Sequence, residues 1–242
     1  MEKSAITHQI FSLALETTGR IGSVAVGCGE DLSDEKTFSA PLRHSAELFD
    51  SIIELMKKNG KSANQISHIY ISIGPGSFTG IRISVTVAKM MALAAQSKIV
   101  AVNTSDAMAL NADDDKIKKI ATVIDAKRSQ FFIAVFEKKS NSWGKILPDC
   151  MMTAEQFKEK FNNEPIWLLG EGLLYYAKNF ETDNIKILDK KYWSPRASNV
   201  FRIGTQLAAK GNFSDPVGLV PFYIRRPDAE ENLEKKQAES IG

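Results

Sequence analysis

The feature that most constrains the fold is a glycine-rich loop between a predicted strand and a predicted helix. The apolar run Ile69–Ile73 is typical of a buried strand, and the loop follows it directly. Pro75 and Gly76 predict a tight turn of type II, and Ser77 or Thr79 is placed to cap a helix. A strand that turns at once into a helix indicates an α/β unit. Residues 74–82 of this loop read Gly-Pro-Gly-Ser-Phe-Thr-Gly-Ile-Arg.

The loop has two interpretations that its residues leave open. A glycine-rich turn at a helix N-terminus can hold an anion, and it can equally be a turn with no ligand. The dinucleotide pattern G-x-G-x-x-G puts Thr79 at its last glycine, with Gly80 one place late. The Walker pattern lacks its lysine here. Neither familiar phosphate signature is therefore present.

The helix predicted after the loop has more apolar surface than one neighbour can cover. At about 100° per residue, Thr79, Arg82, Thr86 and Lys89 share one narrow polar sector, and most other positions are apolar. A second helix or a partner chain must cover the rest. A helix from His44 to Asn59 is a candidate neighbour, and the two helices are expected to present a shared apolar face. Its apolar positions are Leu48, Phe49, Ile52, Ile53, Leu55 and Met56.

A strand–turn–strand pattern with an acidic residue at its bend occurs twice and predicts a duplicated α/β architecture with two lobes. The first copy has Glu16 and the second has Asp125. We expect an N-terminal lobe over 1–104, a C-terminal lobe over 105–226 and a disordered tail over 227–242. A last helix near 198–210 is expected to pack back on the N-terminal lobe. The other predicted elements are a short strand near 36–39, strands at 98–102 and 166–169, and helices at 105–111 and 153–161.

In a two-lobed fold of this kind, paired acidic turns and a glycine-bearing strand end can surround a nucleotide. The predicted cleft is a vestigial nucleotide site, because its phosphate-binding signatures are degenerate. For each of these residues taken singly, an ordinary turn position is the alternative. The predicted cleft residues are Glu16, Thr17, Ser23, Asp125, Gly170 and Gly172.

Charge and composition bound the function classes. The net charge of +2 does not by itself indicate nucleic-acid binding. Cys28 and Cys150 are far apart and in no metal spacing, which favours a reducing compartment. We expect no apolar run of membrane-spanning length, no signal-peptide core in Met1–Gln9, and a cytoplasmic protein without membrane partners.

The chain resembles the TsaB (YeaZ) family, a subunit of the bacterial machinery that makes threonylcarbamoyladenosine beside the tRNA anticodon. The resemblance spans most of the chain in family order, and its loop is highly specific. It implies the actin-like, sugar-kinase and Hsp70-like two-lobed α/β fold. The matching segments are 13–18, 22–26, 43–48, 74–93, 123–128 and 220–225.

The resemblance implies a non-catalytic scaffold subunit that binds and activates a TsaD-like catalytic subunit. It also implies a TsaE-like ATPase as partner, a homodimer when the chain is alone, and tRNA contact mainly through the complex. The complex uses ATP, whereas this chain is expected to bind no cofactor tightly; weak nucleotide binding at the shared interface stays open. The residues assigned to the interface are His44, Leu48, Phe49, Ile52, Phe78, Arg82, Val85, Thr86 and Lys89.

The alternative is an enzyme, either a glycopeptidase-type metalloenzyme or a nucleotide-binding phosphotransferase. In the TsaD family a similar loop is followed by a His-x-x-x-His metal motif, whose positions fall here on Thr104 and Met108. Those side chains are poor substitutes for imidazole ligands. Active kinases of the fold carry an aspartate where this chain has Glu16. The sequence therefore predicts no catalytic residue and no metal site.

Overall fold

The computed structural model describes residues 10–140 and 142–224, which form two lobes. Each lobe contains one five-stranded mixed sheet, with strand orders β3-β2-β1-β4-β5 and β10-β9-β6-β7-β8. Read from its other edge, the second order is β8-β7-β6-β9-β10, which is the first order with every strand number raised by five. This repetition confirms the predicted fold class, an α/β fold of two lobes with duplicated mixed sheets.

The first lobe forms where the apolar runs alternate with turns. β1 pairs antiparallel with β2 and parallel with β4, so that Leu13 lies opposite both Val26 and Ile69. These three side chains are buried in the core between the sheet and the helices α1 and α2. The elements are β1 (Phe11–Glu16), β2 (Ser23–Cys28), β3 (Asp31–Thr37), α1 (His44–Lys58), β4 (His68–Ser72), α2 (Phe78–Ala95) and β5 (Lys98–Val102).

The second lobe repeats this arrangement with shorter helices. Thr153 caps α4 through the predicted capping box, accepting from the Gln156 amide. Three elements of this lobe were not predicted: β8, α5 and β10. The edge strand β8 contains Gly144 and Pro148 and has no clear alternation of burial, which explains why its pattern is weak. The elements are α3 (Thr104–Ala109), β6 (Lys119–Asp125), β7 (Phe131–Lys139), β8 (Ser142–Met152), α4 (Ala154–Phe161), β9 (Ile166–Leu169), α5 (Leu173–Phe180), β10 (Ile185–Ile187) and α6 (Ala197–Ala209).

Two helices, α3 and α6, each pack against a sheet other than the one that precedes them in the chain. α3 follows the first sheet but packs against β6, β7 and β8 of the second. α6 follows the second sheet but packs against β1, β2, β4 and β5 of the first, where Phe201 contacts Tyr70. The backbone amide of Ala197 also donates to Ser23 Oγ at 2.8 Å. These contacts connect the two lobes, and a cleft lies between them.

α2 corrects one expectation from the sequence. Its 18 residues, with a mean hydropathy of 1.3, are long and apolar enough to cross a membrane by length and composition alone. Seven of its residues are buried inside the protein, including Ile81, Val85 and Ala88. Packing in the core therefore accounts for part of its apolar character, and Met90 and Leu93 stay exposed. The predictions for 1–9 and for the tail over 227–242 lie outside the described residues.

Candidate functional site

The glycine-rich loop packs tightly against the turn between β1 and β2. A Cβ atom on Gly80 would lie 1.8 Å from the carbonyl oxygen of Thr17, so only glycine fits there. The Ser77 amide donates to the carbonyl of Thr18 at 2.8 Å, and Ser77 Oγ caps α2. Gly76 has a φ of +157°, far from the value of about +80° that a type II turn requires, so that turn prediction is wrong. The loop therefore connects β4 to α2 and is held against the β1–β2 turn of the same lobe.

Glu16 does not line the cleft, contrary to the prediction. Its side chain is fully buried and points back into the first lobe. The carboxylate accepts from the Thr18 hydroxyl at 2.6 Å, from the Thr18 amide and from the Ser72 hydroxyl. Burial raises the pKa of this carboxyl group, and the three hydrogen bonds oppose that effect. Glu16 therefore organises the turn, and its carboxylate is not available to position a metal ion in the cleft.

Thr17 and Ser23 are also buried, and the structure does not place them among the residues that line the cleft. Thr17 is buried and its hydroxyl donates to the carbonyl of Gly80 at 2.7 Å. Ser23 is buried and accepts the amide of Ala197 at the start of α6. Both side chains are used to hold neighbouring elements in place.

The residues predicted from the second lobe come closer to the cleft. Asp125 lines it, and its carboxylate accepts from the amide and the ammonium of Lys127 at 2.7 and 2.9 Å. Gly172 also lines the cleft, where a Cβ would lie 2.9 Å from the carbonyl oxygen of Val123. Gly170 packs behind it, because its own Cβ would lie 2.2 Å from the same oxygen.

The cleft between the lobes has a volume of about 720 Å³. Glu171, which was not assigned a role from the sequence, lines this cleft and reaches Arg20 of the first lobe. Its carboxylate accepts from the Arg20 amide at 2.6 Å and from the Ser194 hydroxyl at 2.7 Å. Burial raises the pKa of Glu171, while these two hydrogen bonds and the Arg20 charge lower it. The position of Glu171 between Gly170 and Gly172 was the available sequence signal.

Several residues assigned to the interface are buried inside this chain. His44, Leu48, Ile52 and Val85 are each at most 6% exposed, so the structure places them in the interior of the lobe and not on its surface. His44 packs beside Phe38 and places Nε2 3.0 Å from the carbonyl of Gly19. These side chains form the inner face of α1 and α2.

The outer surface of these two helices carries other apolar side chains, which we call the α1–α2 face. Its exposed fractions are 52% for Phe49, 50% for Ile53, 60% for Met90 and 72% for Leu93. Thr86 is exposed on α2 as well. Of the residues assigned from sequence, Phe49 and Thr86 therefore lie on this face.

The remaining assigned residues contact the chain's own C-terminal segment, 213–224. Phe78 stacks on Tyr223 with ring centroids 5.3 Å apart, and Arg82 Nε donates to the Tyr223 hydroxyl at 3.1 Å. Lys89 Nζ donates to the carbonyl of Val217 at 3.2 Å. One flank of α2 is therefore covered within the molecule. Segment 220–225 is one of the segments that resemble the family, and its residue Tyr223 makes two of these contacts. Arg225 lies outside the described residues.

The positions that correspond to the TsaD metal motif lie in the floor between the lobes. Thr104 and Met108 are both buried on α3, and the Thr104 hydroxyl donates to Thr18 Oγ1 at 3.2 Å. Among residues 10–140 and 142–224, no group of three or more His, Cys, Asp or Glu side chains is placed to hold a metal ion. Cys28 and Cys150 are both free thiols.

The chain matches the family model for TsaD, described as tRNA N6-adenosine threonylcarbamoyltransferase, over residues 39–231. The TsaB protein of Bacillus subtilis, named for tRNA threonylcarbamoyladenosine biosynthesis, is 27% identical over 90% of this chain and 95% of its own length. The Escherichia coli TsaB protein is 23% identical over 90% of this chain and 98% of its own length.

A solved structure of YeaZ from Pseudomonas aeruginosa superposes on this chain with a TM-score of 0.77 at 20% sequence identity. The superposition covers 88% of this chain and 99% of the YeaZ chain. The likeness extends over both lobes, so the two proteins share one fold.

Proposed function

Because the chain belongs to the TsaB (YeaZ) family, within the wider family that the TsaD model describes, we propose that it is a non-catalytic scaffold subunit in tRNA threonylcarbamoyladenosine biosynthesis. It binds and activates a TsaD-like catalytic subunit. The observation that carries this proposal is the exposed α1–α2 face, where Phe49, Ile53, Met90 and Leu93 leave apolar surface uncovered.

The partner in this proposal carries a matching surface. The TsaD family model matches residues 39–231, a range that includes both α1 and α2. A TsaD-like subunit is therefore expected to have a similar helix pair. Two such pairs can pack face to face and bury their apolar side chains, in the way that a bundle of four helices does. Two copies of this chain can use the same surface, which accounts for a homodimer when the partner is missing.

The other components join through the assembled complex in this proposal. A TsaE-like ATPase and tRNA bind to the complex, which uses ATP, and any weak nucleotide binding occurs at the shared interface. The non-catalytic role is supported by the inward-pointing Glu16 and by Thr104 and Met108 at the positions of the TsaD metal motif. This assignment suits a protein that works inside the cell beside its tRNA substrate.

The experiment is co-purification with a co-expressed TsaD-like subunit. Val85 and Ala88 are poor positions for a charged substitution because both are buried in the first lobe. Leu93→Glu and Ile53→Glu instead place a charge on the exposed face, where it must be desolvated in the complex. We expect both variants to lose the partner and the tRNA modification while keeping the wild-type thermal unfolding midpoint.

Ile146→Glu is the matched control, because Ile146 is an exposed apolar residue on β8 of the second lobe. It is expected to keep the complex. If the Leu93→Glu variant co-purified with as much TsaD-like subunit as the wild type does, the α1–α2 face would not be the interface.

A further inference from the structure

Two valines of the C-terminal segment 213–224 extend into solvent. Val217 is 82% exposed, and no large apolar side chain among the described residues is more exposed. Val220 is 68% exposed. Between them, Leu219 is only 7% exposed and packs in the core of the first lobe. The backbone here therefore buries one apolar side chain and directs two outward.

The turn that carries these valines, residues 215–220, is fixed by hydrogen bonds. The Asp215 carboxylate accepts from the Val217 amide at 3.1 Å, and the Asp215 carbonyl accepts from the Leu219 amide at 2.9 Å. Just before the turn, the Ser214 amide donates to a carbonyl group of β5 at 2.8 Å. Because the turn is already ordered in the chain alone, little conformational entropy is lost when a partner contacts it.

The turn lies along one flank of α2, beside the α1–α2 face. Lys89 Nζ donates to the carbonyl of Val217 near the C-terminal end of α2, while Tyr223 stacks on Phe78 at its start. The segment therefore runs antiparallel to α2. Leu93 follows Lys89 by one helical turn, so the two residues share a side of the helix. The exposed valines thus continue the apolar surface of the α1–α2 face across the flank of α2.

A specific interface needs more surface than the exposed side chains of the α1–α2 face supply. Stable protein–protein contacts take about 800 Å² from each partner. Phe49, Ile53, Met90 and Leu93 are four partly exposed side chains, which together provide less than this. A partner seated on them therefore contacts surface beside these helices as well, and the turn supplies apolar surface there.

We propose that the 215–220 turn is part of the docking surface for the TsaD-like subunit, which Val217 and Val220 contact directly. This inference rests on the proposed function, since the partner is the same. It adds a segment from the far end of the chain to the α1–α2 face, so that the docking surface has three parts, contributed by α1, α2 and the turn.

Calorimetric titration of the full chain with a purified TsaD-like subunit tests this inference. Val217→Glu and Val220→Glu change side chains that are exposed in the chain alone, so both variants are expected to keep the wild-type thermal unfolding midpoint. Each is expected to weaken binding of the subunit by about tenfold or more, because the introduced charge loses its hydration in the complex. Ile146→Glu on β8 is the matched control and should keep the wild-type affinity.

Leu93→Glu, measured in the same way, separates this inference from the proposed function. Weak binding by Leu93→Glu, together with wild-type affinity in both valine variants, would overturn the role of the turn and leave the α1–α2 face as the interface. Wild-type affinity in all three variants would overturn both proposals. Sedimentation of the chain alone distinguishes a second copy as the occupant. If the valine variants lost self-association but bound the TsaD-like subunit normally, the inference would be wrong.

Discussion

The helices that follow the third and fourth strands differ sharply between the two lobes. In the first lobe these are α1 and α2, with 15 and 18 residues, and in the second they are α4 and α5, with 8 residues each. The longer pair leaves Phe49, Ile53, Met90 and Leu93 exposed, whereas the outer side of α4 carries charged and amide side chains. α5 of the second lobe exposes Leu174 and Tyr175, so the duplication keeps the topology but gives the larger exposed apolar surface to the longer helix pair of the first lobe.

The acidic turns show the same divergence at a single position. Glu16 ends β1 and Asp125 ends β6, so the two residues occupy equivalent places in the repeated sheet. The first carboxylate points inward to Ser72, while the second stays at the cleft and contacts Lys127. Equivalent topology does not give equivalent chemistry, because the packing around each turn decides where its side chain points.

The largest effect is expected from truncating Glu16. Glu16→Ala leaves the Thr18 amide and the Thr18 and Ser72 hydroxyl groups without their buried acceptor. Each unsatisfied buried group costs about 1–3 kcal/mol, so we expect the free energy of unfolding to fall by about 3 kcal/mol or more. Urea unfolding followed by circular dichroism measures it. The equivalent change Asp125→Ala should cost about 1 kcal/mol, and equal losses at both sites would refute the divergence.

The next largest loss of stability is expected from a substitution in the glycine-rich loop of the first lobe. Gly80→Ala places a Cβ against the carbonyl of Thr17, so the helix start and the β1–β2 turn must separate. We expect a loss of about 2 kcal/mol in the free energy of unfolding. Gly144→Ala in β8 is the control, because its Cβ would make ordinary contacts at 3.7 Å or more. A Gly80→Ala variant as stable as the wild type would contradict the close approach.

The smallest effect concerns pH and the buried His44 of the first lobe. Burial lowers the pKa of His44 below the ordinary 6.5, and the hydrogen bond to the Gly19 carbonyl only partly opposes this. Since the unfolded state takes up a proton more readily, the stability that neutral His44 contributes is complete above pH 6.5. It is lost as the pH falls through the lowered pKa of the folded state.

Thermal unfolding midpoints measured from neutral to mildly acidic pH test this dependence. His44→Gln retains a donor for the Gly19 carbonyl and should flatten the curve. The pKa of His68 is also lowered by burial, so His68→Gln is measured in parallel to separate the two contributions. If His44→Gln left the pH dependence of the unfolding midpoint unchanged, His44 would not be the source of that dependence.

Much of the fold was predictable because its signals are local. The apolar run before the glycine-rich loop, the Ser77 cap and the Thr153 capping box depend on residues close in the chain, and each is confirmed. The missed strand β8 has bulges and an edge position, so its burial does not follow a period of two. Periodicity correctly indicated surplus apolar surface on α2, but it did not separate the buried Val85 from the exposed Leu93.

Local periodicity and turn chemistry are enough to predict the two lobes, the turn from β4 into α2 and the apolar excess of α1 and α2. Three features became visible only in the folded chain: Glu16 points inward, segment 213–224 covers one flank of α2, and Glu171 accepts from the Arg20 amide 151 positions away. The reason is physical. Burial and hydrogen-bond satisfaction depend on which distant groups the folded chain brings together, and local patterns carry no record of those groups.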